Sequence, residues 1–270
     1  MVTIDNHSIQ MLQYETLRSY RNIFHFVSTR KGGVSKDTYD SFNLSVYSGD
    51  NPDSVSENRR RLYDAYGVEL ILPFQTHEDK VVSIKQDWLR LAPEEKKESL
   101  NGVDAIVTDV KDICIGVSTA DCVPVLLYDP VNEVIGAVHA GWRGTVKHIV
   151  LKTVETMIQN FGSDPSNILA AIGPSISMEA FEVGDEVVEE FKKAAYNTEK
   201  LVCRNPRTSK AHIDLWEANK DDLIQAGVKS SNIEIAELCT VKNSDILFSA
   251  RVLGIKSGRI ISGIQLISKK

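Results

Sequence analysis

Residues 119–144 read TADCVPVLLYDPVNEVIGAVHAGWRG, two apolar runs on either side of an Asp-Pro turn. No other segment restricts the fold as much. Apolar runs this short, rich in valine and bounded by turn residues, pair as an antiparallel hairpin. Asp129-Pro130-Val131-Asn132 suits a type I turn, with Asp first and Pro second. Folding there opposes residues whose numbers sum to about 261, so Cys122 faces His139 at the open end. Alternation puts Leu126, Tyr128, Ile135 and Ala137 on the same face, an apolar wall behind the pair. A slip of one residue would send the histidine to the opposite face, so the pairing depends on register. Pro124 lacks a ladder donor, which implies an edge or strand-start position beside the cysteine.

The segments around the hairpin supply both helices and strands. GTVKHIVLKTVETMIQNFG carries Val146, Ile149, Val150, Val154, Met157, Ile158 and Phe161 at helical steps, predicting one continuous helix that ends at Gly162. His148 sits beside that stripe as a surface or boundary residue. NPDSVSENRRRLYDAYGV, GDEVVEEFKKAAY and LWEANKDDLIQAGV read as further helices, and ILAAIGPSI and GRIISGIQLISKK as strands. LILPFQTHEDKVVSIKQ reads as strand, loop, strand, with His77 at the break. Hairpins mixed with helices over 270 residues predict one α/β (α+β) domain spanning 1–270, a layered sandwich around a mixed β-sheet.

A net charge of −6 gives no general attraction to nucleic acid or to an anionic membrane, so any positive site must be local. MVTIDNHSIQ lacks a basic region followed by an apolar run, and no apolar stretch reaches the roughly 18 residues that span a bilayer. The four cysteines are unevenly spaced and form no C-x-x-C pair, which suits a reducing, cytoplasmic setting.

A cysteine and a histidine held together support two chemistries, against the plain alternative of a buried thiol and a satisfied core imidazole. The thiolate can be a nucleophile with the imidazole as its base. Alternatively both can ligate a borderline metal, with a third ligand and one open position. His77, in PFQTHEDKV, is the best third ligand, because it stands at a strand–loop break among polar residues. Such a set takes zinc, and copper could replace it. His25, between Phe24 and Phe26, reads as a packed or supporting histidine. Gly141-Trp142-Arg143-Gly144 enters the helix directly after His139, so its amides and Arg143 could bind an anion; otherwise it is a tight turn with a solvated arginine. Asp121 could orient a ligand, act as acid or base, or cap a turn. Asn43 and Arg59 stand in polar loop and helix-start contexts that are more often structural. Cys114 reads as core, Cys203 lies in a basic polar stretch, and Cys239 is an apolar-flanked thiol with no evident partner.

HFVSTRKGGVS, SFNL, ENRRRL, QTHEDKV, TADCVPVLLYD, GAVHAGWRGT, IGPSISMEAFEVG, DLWEAN and SGR follow one another through most of the chain. In these segments, and most specifically in ADCVP followed by HAGWRG, the chain resembles the YfiH/YlmD family, also called the laccase-domain or multicopper polyphenol oxidase family. The resemblance implies a single-domain α/β fold and a metal site carried onto His77, Cys122 and His139. It also implies a zinc-dependent purine nucleoside enzyme. The expected reactions are phosphorolysis of adenosine, inosine, guanosine and methylthioadenosine, and deamination of adenosine. Asn43, Arg59 and Arg143 would then contact substrate or phosphate, and Asp121 would join Cys122 and His139 in catalysis. LFSARV departs from the family, placing Ala250, Arg251 and Val252 where an aromatic and two arginines are common. The cytidine-deaminase pattern of H-x-E with P-C-x-x-C is absent. Two other readings compete: a copper-loaded polyphenol oxidase and a metal-free Cys/His hydrolase. A four-copper centre takes about ten histidines, and this chain has six, so a complete laccase set is excluded.

Overall fold

The computed structural model describes residues 1–268, which leaves Lys269 and Lys270 of the last predicted strand outside the described residues. Two six-stranded mixed sheets lie face to face. One runs Val2–Asn6, Ile9–Gln13, Ile23–Ser28, Ile260–Leu266, Cys114–Thr119, Leu70–Ile71. The other runs Ile233–Ile235, Leu169–Ile172, Val123–Asp129, Val134–Ala140, Ala105–Thr108, Val81–Ile84. A small third sheet joins Glu182–Val183, Ala211–Ile213 and Val202–Arg204. The α/β layering is as expected, but two stacked sheets take the place of one. Leu126, Tyr128, Ile135 and Ala137, the predicted apolar wall, pack against Val27, Val117, Ile260 and Ile264 of the facing sheet. The outer faces are covered by helices. Ile149–Phe161 and Leu215–Gln225 cover the hairpin sheet, and Pro52–Tyr66 covers the other. No helix among the described residues is long and apolar enough to cross a membrane.

The hairpin forms, with its register displaced by two residues. Pro124 pairs with His139, Val125 with Val138 and Asp129 with Val134, leaving Pro130–Glu133 as a four-residue loop. The Asp129 side chain accepts from the amides of Val131 and Asn132 at 2.9 and 3.2 Å, and Glu133 takes a positive φ of 52°. A two-residue type I turn splays right-twisted strands, so the longer loop is preferred. Because the shift is even, Cys122 stays on the face of His139, as a diagonal rather than a direct neighbour. Pro124 opens a central strand, not an edge. His139 sends its N–H to Asp104 O, so the missing Pro124 donor faces the other side, where Gly173, just past Leu169–Ile172, donates its amide to Pro124 O at 2.8 Å and receives none back.

The helix after the hairpin is two helices, Trp142–Val146 and Ile149–Phe161, broken at His148, whose φ is +57°. His148 is half-buried: Nδ1 meets Asp222 at 2.9 Å, Nε2 meets Ala194 O at 3.0 Å, and the ring stacks on Tyr196. These partners pull the residue out of the helical ladder. Gly162 ends the second helix in the left-handed conformation, and Ile158 turns partly to solvent instead of joining the buried stripe.

His25 is a core histidine on strand Ile23–Ser28, and its Nε2 accepts the Tyr14 N–H at 2.9 Å. Burial lowers its pKa from 6.5 to about 4. The neutral ring is therefore the folded form, and its contribution is complete above pH 6.5 and lost as pH falls toward 4. The linked loss amounts to about 3 kcal/mol. Urea unfolding between neutral and acid pH is expected to show this slope, and His25→Gln to remove it. An unchanged slope in the variant would contradict the assignment.

Candidate metal centre

Cys122 lies where the chain crosses from one sheet to the other, between strands Cys114–Thr119 and Val123–Asp129. The crossing is tight, with Asp121 at φ 90°. Asp121 Oδ1 accepts the hydroxyls of Thr240 at 2.6 Å and Ser249 at 2.7 Å, while Oδ2 accepts the Arg251 amide at 2.7 Å. Its carboxylate therefore fastens the 240–251 loop to the residue before Cys122 and does not line the pocket.

His139 is buried near the end of its strand, and its Nδ1 meets Asp104 Oδ1 at 2.7 Å. That contact leaves Nε2 as the nitrogen available to a ligand. The same carboxylate receives the amides of Thr76, His77 and Glu78 at 3.2, 3.0 and 2.9 Å, and so holds the loop that carries His77, itself at φ 62°. Asp104, fully buried, thus orients two histidines that lie far apart in the chain. The rings of His77 and His139 meet edge to face at 4.8 Å. One donor atom from each of His77, Cys122 and His139 lies within 4.8 Å of the others, the one such His/Cys/Asp/Glu group among the described residues.

Electrostatics couple a Cys122 thiolate to a protonated His139, an ion pair from which a bound metal would displace the imidazole proton. Burial pushes the Cys122 thiol up, but the His139 imidazole and hydrogen bonds from both histidines outweigh it and bring the thiol well below its ordinary value. Burial lowers His139, yet the Cys122 charge and the Asp104 hydrogen bond raise it overall. Burial raises Asp104, and the His139 hydrogen bond and charge bring it below 3.8. Two imidazoles and a thiolate backed by a carboxylate suit zinc or copper, and the His–Asp pair fixes the tautomer as such sites require.

Gly141 makes this approach possible. A Cβ built there would lie 3.1 Å from Cys122 Sγ and 3.3 Å from the His77 ring. Gly141→Ala is expected to displace the ligands and weaken metal binding about tenfold or more in chelator competition. Unchanged affinity would contradict that packing argument.

The three residues open onto a pocket of about 430 Å³ whose remaining lining includes Ser45, Tyr47, Phe74, Gln75, Ser118, Ala250 and Arg259. Gln75 is fixed to Ser118 by three hydrogen bonds of 2.8–3.0 Å. Tyr47 and Phe74 are 43% and 44% exposed and meet edge to face, an aromatic pair at the mouth. Arg259 is tied to the carbonyls of Ser257, Gly258 and Ile255. Its amide donates to Asn43 Oδ1 at 3.0 Å, so buried Asn43 positions Arg259 instead of lining the pocket. Arg59 gives its Nε to Leu44 O and lines a different cleft with Tyr63 and Leu70. Arg143 is exposed and lies over the Trp142 ring at 4.2 Å, also outside the pocket. In the divergent LFSARV loop, Ala250 lines the pocket and the Arg251 backbone holds Asp121.

Asp104, Gln75, Tyr47, Phe74 and Arg259 escaped the sequence reading as site residues. DAIV did hold one signal, because an aspartate heading a fully apolar strand is buried only at high cost unless it is paired.

Residues 24–267 match the family model described as multi-copper polyphenol oxidoreductase laccase. The chain is 47% identical over 260 residues to a purine nucleoside phosphorylase of Bacteroides thetaiotaomicron, covering 95% of this chain and 96% of that one. It is 42% identical over 259 residues to adenosine deaminase RL5 of an unknown prokaryotic organism, covering 95% and 98%. The crystal structure of Bacillus licheniformis hypothetical protein YfiH superposes with a TM-score of 0.86 at 29% identity, covering 97% of each chain. With the fold, the His–Cys–His group and these matches in agreement, the chain belongs to the laccase-like YfiH/YlmD family of enzymes.

Proposed function

We propose that the protein is a zinc-dependent purine nucleoside phosphorylase acting on adenosine, inosine, guanosine and methylthioadenosine, with adenosine deaminase activity, in the cytoplasm. The observation that carries this reading is that His77, Cys122 and His139 share one pocket with Arg259 and an aromatic pair. The names of the relatives from Bacteroides thetaiotaomicron and RL5 supply the two reaction types. His77, Cys122 and His139 would hold the zinc, which would supply Lewis acidity to the pocket when bound. Arg259 is the pocket's fixed positive charge and holds phosphate, whereas Arg59 lines a separate cleft and Arg143 lies exposed over Trp142. Tyr47 and Phe74 offer faces and edges on which a purine stacks. In phosphorolysis a phosphate oxygen bonds to C1′ while the C1′–N9 bond breaks, and the base leaves with that electron pair and takes up a proton. Asp104 keeps His139 in one orientation throughout.

Metal analysis of the isolated protein is expected to find about one zinc per chain. Incubation with adenosine should yield adenine and ribose 1-phosphate only when phosphate is present, and inosine by deamination, as resolved by chromatography. Zinc-loaded protein that forms none of these would overturn the proposal. Full activity after chelation would favour the Cys122–His139 hydrolase reading, and phenol oxidation confined to copper-loaded protein would favour the oxidase.

A further inference from the structure

His148 presents both ring nitrogens to oxygen acceptors, Nδ1 to the Asp222 carboxylate at 2.9 Å and Nε2 to the Ala194 carbonyl at 3.0 Å. A neutral imidazole has a single N–H and serves only one of them, whereas the imidazolium serves both. Asp222 is 1% exposed, and its Oδ2 has no hydrogen-bond partner among the described residues. Tyr196, reaching in from the chain after Asp185–Lys193, has one hydroxyl hydrogen to divide between Asp222 Oδ1 and Thr145 O, each at 2.8 Å. The proton on His148 Nδ1 therefore keeps a buried carboxylate charge from standing uncompensated. Two further charges act on the pair. Asp221, itself paired with Lys200, adds to the negative side, and Lys152, itself paired with Asp79, opposes the imidazolium. The Asp222 hydrogen bond outweighs burial and Lys152 and holds His148 above its ordinary 6.5, while burial raises Asp222.

The segment that this pair anchors is the one that backs the metal centre. His148 stands at the break between Trp142–Val146 and Ile149–Phe161. Ahead of it, Gly141 lies against Cys122 and the His77 ring, and a Cβ on Gly144 would meet Glu78 O at 3.0 Å. Lys147 and Lys152, on either side of it, pair with Glu78 and Asp79 of the His77 loop. We infer that His148 is a positioning residue of the metal centre: its imidazolium, paired with Asp222, holds residues 141–152 against the His77 loop, and loss of that proton loosens the metal. The inference rests on the metal-binding part of the proposed function. Its sign follows from the raised value: the hold is complete below pH 6.5 and is lost as pH rises through the folded-state value.

The test uses the full-length protein and two readouts that need no turnover of a nucleoside. Ring-nitrogen NMR shifts of the wild type are expected to show His148 mostly protonated at both nitrogens at pH 6.5, where a free imidazole is half charged. A neutral ring there would overturn the inference, and this result stands even where a variant folds poorly. Zinc-loaded wild type and His148→Gln are then compared for metal release to a chelator from about pH 6 to about pH 9. The variant is expected to release zinc about tenfold faster at the acid end, and that ratio to shrink as pH rises. Proton competition at the ligands acts on both proteins alike and cancels in the ratio. A merely structural role would leave the ratio constant, so a constant ratio, or equal release throughout, would overturn the inference while the metal reading stood. Wild-type protein that binds no zinc would overturn both.

Discussion

Cys122→Ala is expected to lose stoichiometric zinc and to lower adenosine turnover by about a thousandfold, which corresponds to about 4 kcal/mol of transition-state stabilisation. Two ligands remain on separate elements, His77 on a loop and His139 on a strand, and two imidazoles alone hold zinc weakly. The fold should survive, because Asp121 and the hairpin ladder hold the crossing independently of the sulfur. Metal analysis, steady-state kinetics and thermal unfolding of one preparation separate these effects. A variant that keeps both its metal and its turnover would reject the site. One that keeps turnover without metal would reject the role of zinc.

Asp104→Asn should have the second largest effect, although the residue touches neither the metal position nor the pocket. The carboxylate receives three loop amides and the His139 ring, and an amide side chain has one oxygen to offer in place of two. The NH₂ group would then point at donors, leaving part-buried loop amides or the buried His139 ring unpaired at a cost of about 2–4 kcal/mol in stability. Both histidines lose their orientation, so zinc affinity should fall about 10- to 100-fold in chelator competition. The pH dependence has a definite sign. Because the folded pKa lies below 3.8, the wild type keeps this contribution above that value and loses it as pH falls further. The asparagine variant should lack that acid-side loss. Wild-type affinity in Asp104→Asn would show that the loop and strand place the histidines unaided.

Several of these features were legible in the chain. Cys122 and His139 share a face because side chains alternate along both runs, and a displacement of two residues leaves that relation intact. The loop length was not legible, since Asp-Pro-Val-Asn fits a type I turn whether it closes in two residues or four. Asn43, Arg59 and Arg143 illustrate a different gap. Their polarity and neighbours mark them as candidates, but direction is set by partners distant in sequence: Arg259 for Asn43, and Leu44 O for Arg59. Gly141–Gly144 left both an anion pocket and a tight turn with a solvated arginine open, and Arg143 lies exposed over the Trp142 ring.

Local chemistry in the sequence determined the hairpin, the left-handed glycine stops of the helices at Gly67 and Gly162, and the residue types able to hold a metal. Those are short-range properties, fixed by turn propensity, alternation and helical period. Tertiary structure alone decided that Asp104 binds both histidines from 27 and 35 residues away, and that Arg259 is the pocket's arginine. Such contacts arise where two stacked sheets and their crossing loop meet. A buried carboxylate is stable only where several donors converge on it, and which donors converge is a property of the assembled layers.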